Sequence, residues 1–394
     1  MHVLAVIWFF GSVLPQEEIM ARADRLLWEG KPDSAAVLYR KLLRSDTPSE
    51  LRVSATLKLG RCYADMGKPE KAVKFYEDYL RMKPGDREVE RLLADTYAWM
   101  GEHERALRLY EDLLEDVPED TLLLRKAARV AVWGGMAEKA RKLWERLGKL
   151  VSGDPEVLKY LGLLWAGRDP RRAEGYLREY LNLGKEDYYA AFVLGEVYTA
   201  LGKKREAEVA YRHALDWMEG DTRLVREVKA RIYARLGERK KAEEEFLRLL
   251  GEDDDPRIRL ALVEVWMEEG KLSEAERTLK ELSRVQDIEV QRAAERTLGV
   301  LYFRKGDYRQ AIAYWEPLFE KDPENRELAL DLAKYSDGSS LTGHRTLLSQ
   351  KSPESTPAFL RRCEGFKERR YSWHLSREAS RSGSGSLART SPLR

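Results

Sequence analysis

Little in this sequence could hold a metal ion or a disulfide framework. Among 394 residues there are two cysteines and five histidines. Cys62 and Cys363 stand far apart in unlike surroundings, which excludes a cystine-stapled scaffold and a cysteine-ligated metal site. Cys62 lies in an apolar helical pattern and reads as a small buried residue. His103 falls in a turn, His213 on a helix, and His2, His344 and His374 near the ends, so no ligand spacing emerges. Catalytic signatures are also missing: there is no phosphate-cradling glycine loop, no HExxH, and no serine or cysteine in a nucleophile motif. No catalytic residue, metal or cofactor is expected. Net charge is scarce too. The 70 basic and 68 acidic residues leave +2, which gives no field to draw in nucleic acid, and no nucleic-acid partner is expected. No stretch alternates as a strand does.

Long apolar runs are scarce as well. The one such run, Met1 to Leu14, is short for a membrane span but has the length of a secretory h-region. No Lys or Arg precedes it, and Pro15 spoils the obvious cleavage positions. Residues 1–16 are therefore expected to be a signal or an anchor that associates the chain with a membrane. The protein would then be exported, periplasmic or held at the inner membrane, rather than cytoplasmic. The other reading of this segment is an apolar helix that caps the first repeat.

What is abundant is self-similarity. Glycines fall at Gly30, Gly67, Gly101, Gly135, Gly202, Gly237, Gly270 and Gly306, and the one double-length gap contains Ala166-Gly167-Arg168-Asp169. Nine repeats of about 34 residues result. Five residues after each turn glycine comes an alanine: Ala35, Ala72, Ala106, Ala140, Ala207, Ala242, Ala275 and Ala311, with Ala173 in the irregular repeat. A helix pair joined by a tight turn brings its backbones together there and leaves no room for bulk. Seven residues before the glycine stands a second small residue (Gly60, Ala94, Ala128, Gly195, Ala230, Gly299), and Val263 is expected to loosen its own repeat. Aromatic residues occupy two further registers, four before the turn (Tyr63, Tyr97, Tyr198, Tyr233, Trp266, Tyr302) and nine after it (Tyr39, Tyr76, Tyr110, Trp144, Tyr211, Phe246, Trp315). Pro84, Pro118, Pro155, Pro256 and Pro323 are expected to stop each second helix.

These registers together resemble the tetratricopeptide repeat over residues 17–335. The resemblance implies an all-α, right-handed superhelical solenoid of about nine helix-turn-helix units with a concave groove. It also implies work by protein–protein interaction, with one or more proteins as partners. Residues 326–335 read as half of a further repeat or a capping helix. Beyond them, residues 336–394 hold thirteen serines and eleven Lys/Arg against five Asp/Glu, and helical periodicity is lost. A disordered tail is expected there, or foreign sequence from a truncation or a changed reading frame.

The groove is expected to be lined by the free face of each first helix. In register it receives Arg61, Arg91, Asp95, Trp99, Arg125, Arg129 and Trp133, then Glu196, Arg231, Glu264 and Arg304. Arg125 and Arg129 are expected to project together beside Arg91, and Trp99 and Trp133 to be neighbours. The plain alternatives are a solvated charged face and packing at repeat boundaries. Chaperone-binding members of this superfamily grip a peptide carboxylate with Lys, Arg and Asn. Here Asp95 and Arg129 stand at the Asn positions, so that activity is not carried over. Within residues 87–185, LADTYAWMGEHERALRLYEDLL and ARVAVWGGMAEKARKLWERL also resemble the repeats of Pel-type scaffolds for bacterial exopolysaccharide export. That likeness implies a glycan-handling or assembly module with an exopolysaccharide as a possible partner, although no barrel segment follows.

Overall fold

The computed structural model describes residues 15–44 and 46–322. The N-terminal apolar run, residues 326–335 and the serine-rich tail lie outside the described residues. Two compact sections divide at Asp154 and Pro155. The first holds four helix pairs: α1 (Gln16–Trp28) with α2 (Pro32–Lys41), α3 (Ser49–Asp65) with α4 (Pro69–Met82), α5 (Arg87–Trp99) with α6 (His103–Asp116), and α7 (Thr121–Trp133) with α8 (Ala137–Leu150). The second holds five: α9 (Pro155–Trp165) with α10 (Pro170–Asn182), α11 (Tyr188–Ala200) with α12 (Lys204–Asp216), α13 (Arg223–Arg235) with α14 (Arg239–Glu252), α15 (Pro256–Glu269) with α16 (Leu272–Leu282), and α17 (Ile288–Arg304) with α18 (Tyr308–Lys321). In each section every helix packs on the next, so the core is a continuous seam, as in a helical solenoid. Among the described residues there is no strand. No described helix is long and apolar enough to cross a membrane.

The turn chemistry follows from the backbone. All eight turn glycines have positive φ, between 67° and 81°. At Gly67 the glycine N–H donates to Ala64 O (3.0 Å) and the next N–H, of Lys68, to Tyr63 O (2.9 Å). This is a Schellman closure, and it needs a left-handed residue between the helices. The irregular repeat turns through residues 166–169 without a positive-φ glycine, and Asp169 instead accepts from the N–H groups of Arg171 and Arg172. First helices are opened differently: Asp86, Asp120, Asp187, Thr222, Asp255 and Asp287 each accept a backbone N–H of the first turn.

The small-residue registers are buried as expected, since each of the nine alanines after a turn is at most 4% exposed. A side chain on Gly60 would strike Tyr76, on Gly195 Tyr211, and on Gly299 Trp315. The pair that holds Val263, α15 with α16, is the least closely packed of the nine described pairs, as expected. Val263 is nevertheless fully buried in one cluster with Leu279, where other repeats place an aromatic, so bulk is partly exchanged across the helix pair. The prolines need correction. Pro155 and Pro256 begin α9 and α15 instead of ending the preceding helices, since the first helical turn needs no N–H donor there. Pro84 and Pro118 lie between helices as expected, and Pro323 is outside the described residues.

Candidate functional site

The first-helix register six residues before each turn carries most of the site chemistry. In the first section Asp24 accepts from the Tyr39 hydroxyl (2.6 Å) and from Lys58 Nζ (2.7 Å). Asp95 does the same with Tyr110 and with Lys126 Nζ (2.8 Å). In both, the tyrosine comes from the same repeat's second helix and the lysine from the next first helix. Asp95, expected as a groove acid, is thus held inside a three-membered network. Burial, and then the Asp95 carboxylate, hold the Tyr110 hydroxyl well above its ordinary range. In the second section Glu196 accepts from Tyr211 (2.6 Å) and from Arg235 through Nε (2.8 Å) and Nη2 (3.1 Å). Where this register holds Arg129 or Arg231, the second helix offers a hydroxyl-free aromatic, Trp144 or Phe246. Arg61, with Tyr76, departs from that pattern.

The basic residues expected in the groove are largely engaged. Arg91 pairs with Glu88 of its own helix (2.7 Å). Arg125 does not simply project beside Arg129: its guanidinium turns to Asp154, at 3.2 and 2.8 Å. Arg129 is half-buried, and Arg61 is exposed. In the second section Arg231 pairs with the buried Glu227 (2.8 Å), and Arg304 donates to Met267 O (3.0 Å).

The tryptophans each lean on the preceding repeat. Trp99 is 46% exposed, and its ring tip lies 4.0 Å from where a Gly67 side chain would begin. Trp133 is half-buried against His103, with ring centroids 6.3 Å apart, and burial lowers the pKa of that histidine. Trp28, in the same register, was not singled out from the sequence and is 88% exposed. Its position two residues before Gly30 was the available signal.

A concavity of about 50 Å³ opens between the first helices α11, α13 and α15. Phe192, Ala234, Phe246, Ala261 and Val265 supply its apolar lining, and Glu196, Arg231, Arg235, Glu264 and Glu268 its charged lining. Sequence reasoning reached Glu196, Arg231 and Glu264 but missed what makes the space. Ala261 stands at the register where α3 and α7 carry Lys58 and Lys126. Among the described residues no group of three or more His, Cys, Asp or Glu is placed to hold a metal ion.

Comparison with known families agrees with this repeat geometry. Four family models, each described as tetratricopeptide repeat, match residues 26–96, 91–120, 188–219 and 296–335. No curated protein matches the chain. Among solved structures, a tetratricopeptide repeat protein from Parabacteroides merdae is 18% identical, covering 64% of this chain and 98% of its own (TM-score 0.45). Yeast Tom70 is 14% identical, covering 89% and 95% (TM-score 0.42). MamA from Desulfovibrio magneticus is 17% identical, covering 42% and 93% (TM-score 0.37).

Proposed function

This chain belongs to the tetratricopeptide-repeat superfamily, and we propose that it is a scaffold whose first-helix groove holds an extended segment of a partner protein. The observation that carries this is the concavity between α11, α13 and α15, where apolar floor and charged rim meet on the free face of three successive first helices. A pocket of mixed polarity fits a peptide side chain. On this reading Arg91, Arg125, Arg129, Trp99 and Trp133 of the first section form a second contact zone. Cations there weaken with salt, while indole contact area hardly responds to it. The test is capture from native membranes by the full chain, followed by identification of the bound protein and re-measurement with Ala261→Trp, Trp99→Ala with Trp133→Ala, and Arg125→Ala with Arg129→Ala. Binding should fall in at least the first variant while its melting profile stays parental. Undiminished binding by all three would remove the groove from consideration.

A second reading, a glycan-handling module of an exopolysaccharide export apparatus, draws support from the exposed indoles of Trp28 and Trp99. Sugars stack on such faces. Indole fluorescence that responds to exopolysaccharide fragments and loses that response in Trp28→Ala with Trp99→Ala would favour it, and silence would end it. Both readings place the chain outside the cytoplasm, on the strength of the apolar N-terminal run. Cell fractionation that finds the full chain wholly in the cytosol would reject that placement.

A further inference from the structure

Resting on the groove reading, we infer that the second-section pocket selects a lysine or arginine side chain of the bound segment, whose charged head pairs with Glu264. The argument comes from comparing one register through the chain. Four acids stand six residues before their turns: Asp24, Asp95, Glu196 and Glu264. The first three each hold a cation from the next first helix, Lys58, Lys126 and Arg235, at 2.7 to 2.8 Å. Each also holds a tyrosine hydroxyl, from Tyr39, Tyr110 and Tyr211. Glu264 has no tyrosine, because its second helix offers Leu279; at the lysine register its following first helix offers Thr297, and Arg304, at the register of Arg235, donates instead to Met267 O (3.0 Å). The Glu264 side chain is exposed on the pocket wall. The fold therefore repeats one carboxylate–cation closure three times and leaves the fourth carboxylate open, beside a cavity.

The other charges of the pocket are already committed, although Arg235 still feels the charge of Glu264, least among its neighbours, while hydrogen-bonding Glu196. Arg235 binds Glu196 through two nitrogens, at 2.8 and 3.1 Å, and Arg231 is held by buried Glu227 at 2.8 Å. Glu268, the remaining acid on the rim, makes only a long, exposed contact of 3.4 Å with Arg239. What is left over is negative. Ala234, Ala261 and Val265 offer an apolar wall for the methylene stem that precedes a lysine or arginine head. An acidic side chain would instead meet Glu264 and Glu268 at close range.

The experiment is selection of a displayed library of random twelve-residue peptides on the full chain, with recovered peptides measured against the parent, Glu264→Gln, Glu264→Lys and Ala261→Trp. Recovered peptides should share a lysine or arginine at one position. Replacing that residue by norleucine should weaken binding about tenfold, Glu264→Gln should do the same, and the two changes together should cost no more than either alone. Peptides excluded by Ala261→Trp but indifferent to Glu264→Gln and to norleucine would overturn the inference and leave the groove reading intact. A library without binders, or binders that ignore Ala261→Trp, would overturn the groove reading and this inference with it. Glu264 is exposed, so its variants should melt with the parent.

Discussion

In the first section, Asp24 and Asp95 are each closed by a tyrosine and a lysine, whereas in the second, Glu196 is closed by a tyrosine and an arginine and Glu264 is left open. The lysine register of α13 holds Val228 and that of α15 holds Ala261, so the cation for Glu196 comes from Arg235, seven residues further along. Arg235 occupies the register that carries Trp28, Trp99 and Trp133 in the first section. One set of helix positions thus produces two surfaces. The first section ties half-buried lysines to Asp24 and Asp95 and shows indoles at the turn edge, while the second ties Glu196 to an exposed arginine and opens a cavity. Charge and bulk are balanced within pairs of registers, so a change at one position is legible only beside its partner.

The comparison breaks most readily where bulk is traded. Trp144 fills the seam opposite Ala128 in the first section, and Leu279 performs that task beside Val263 in the second. Trp144→Ala is expected to cost about 3–5 kcal/mol in urea unfolding, with damage confined to neighbouring repeats. A loss below about 1 kcal/mol would mean that the aromatic register does not carry the core. Next in size are Ala106→Leu and Ala140→Leu, each expected to cost about 1–3 kcal/mol by forcing the helix pair apart. Melting unchanged from the parent in both would show the alanine register to be misassigned.

A smaller effect tests the closure itself. Tyr110→Phe and Lys126→Met each remove one partner of Asp95, and a double-mutant cycle should show coupling of about 0.5–1.5 kcal/mol. Tyr211→Phe should behave alike, because Arg235 takes the place of the lysine. Additive losses at Asp95 would mean the three groups do not act as one network.

Most of the fold was legible because turns and close packing leave local marks. A left-handed turn demands glycine, a tight helix pair demands alanine, and both recur at fixed spacing, as Gly101 and Ala106 do. The site was less legible. Arg125 reads as a groove residue until Asp154, 29 positions later, is seen to hold it. Side-chain reach across helices, not helical period, decides that pairing. Asp95 was visible as an acid facing the groove, yet its engagement depended on reading Tyr110 and Lys126 with it. The prolines misled for a related reason: a residue that cannot continue a helix is also well suited to start one, and Pro155 and Pro256 do the latter.

The smallest expected effect concerns pH and separates a networked carboxylate from an isolated surface pair. Glu276 accepts from Lys280 (2.6 Å), from Lys305 and from Tyr302 (2.7 Å), and these hydrogen bonds, that from Lys280 foremost, lower its carboxyl from 4.5 to about 2. A folded-state pKa below the unfolded one makes the contribution complete above about 4.5 and removes it progressively as pH falls toward about 2. Because the group remains close to solvent, the contribution should not exceed about 1 kcal/mol. Glu276→Gln should therefore be less stable than the parent at pH 7 in urea unfolding, and the gap should close as the pH is lowered through that window. Other carboxylates titrate there too, which is why the difference between the two proteins is the quantity to follow. In the first section Lys139 meets Glu111 at 2.9 Å with both side chains well exposed, so Lys139→Met should change stability little. A gap for Glu276→Gln that stays constant down to pH 2 would assign its effect to lost packing, and an equal gap for Lys139→Met would erase the distinction between network and pair.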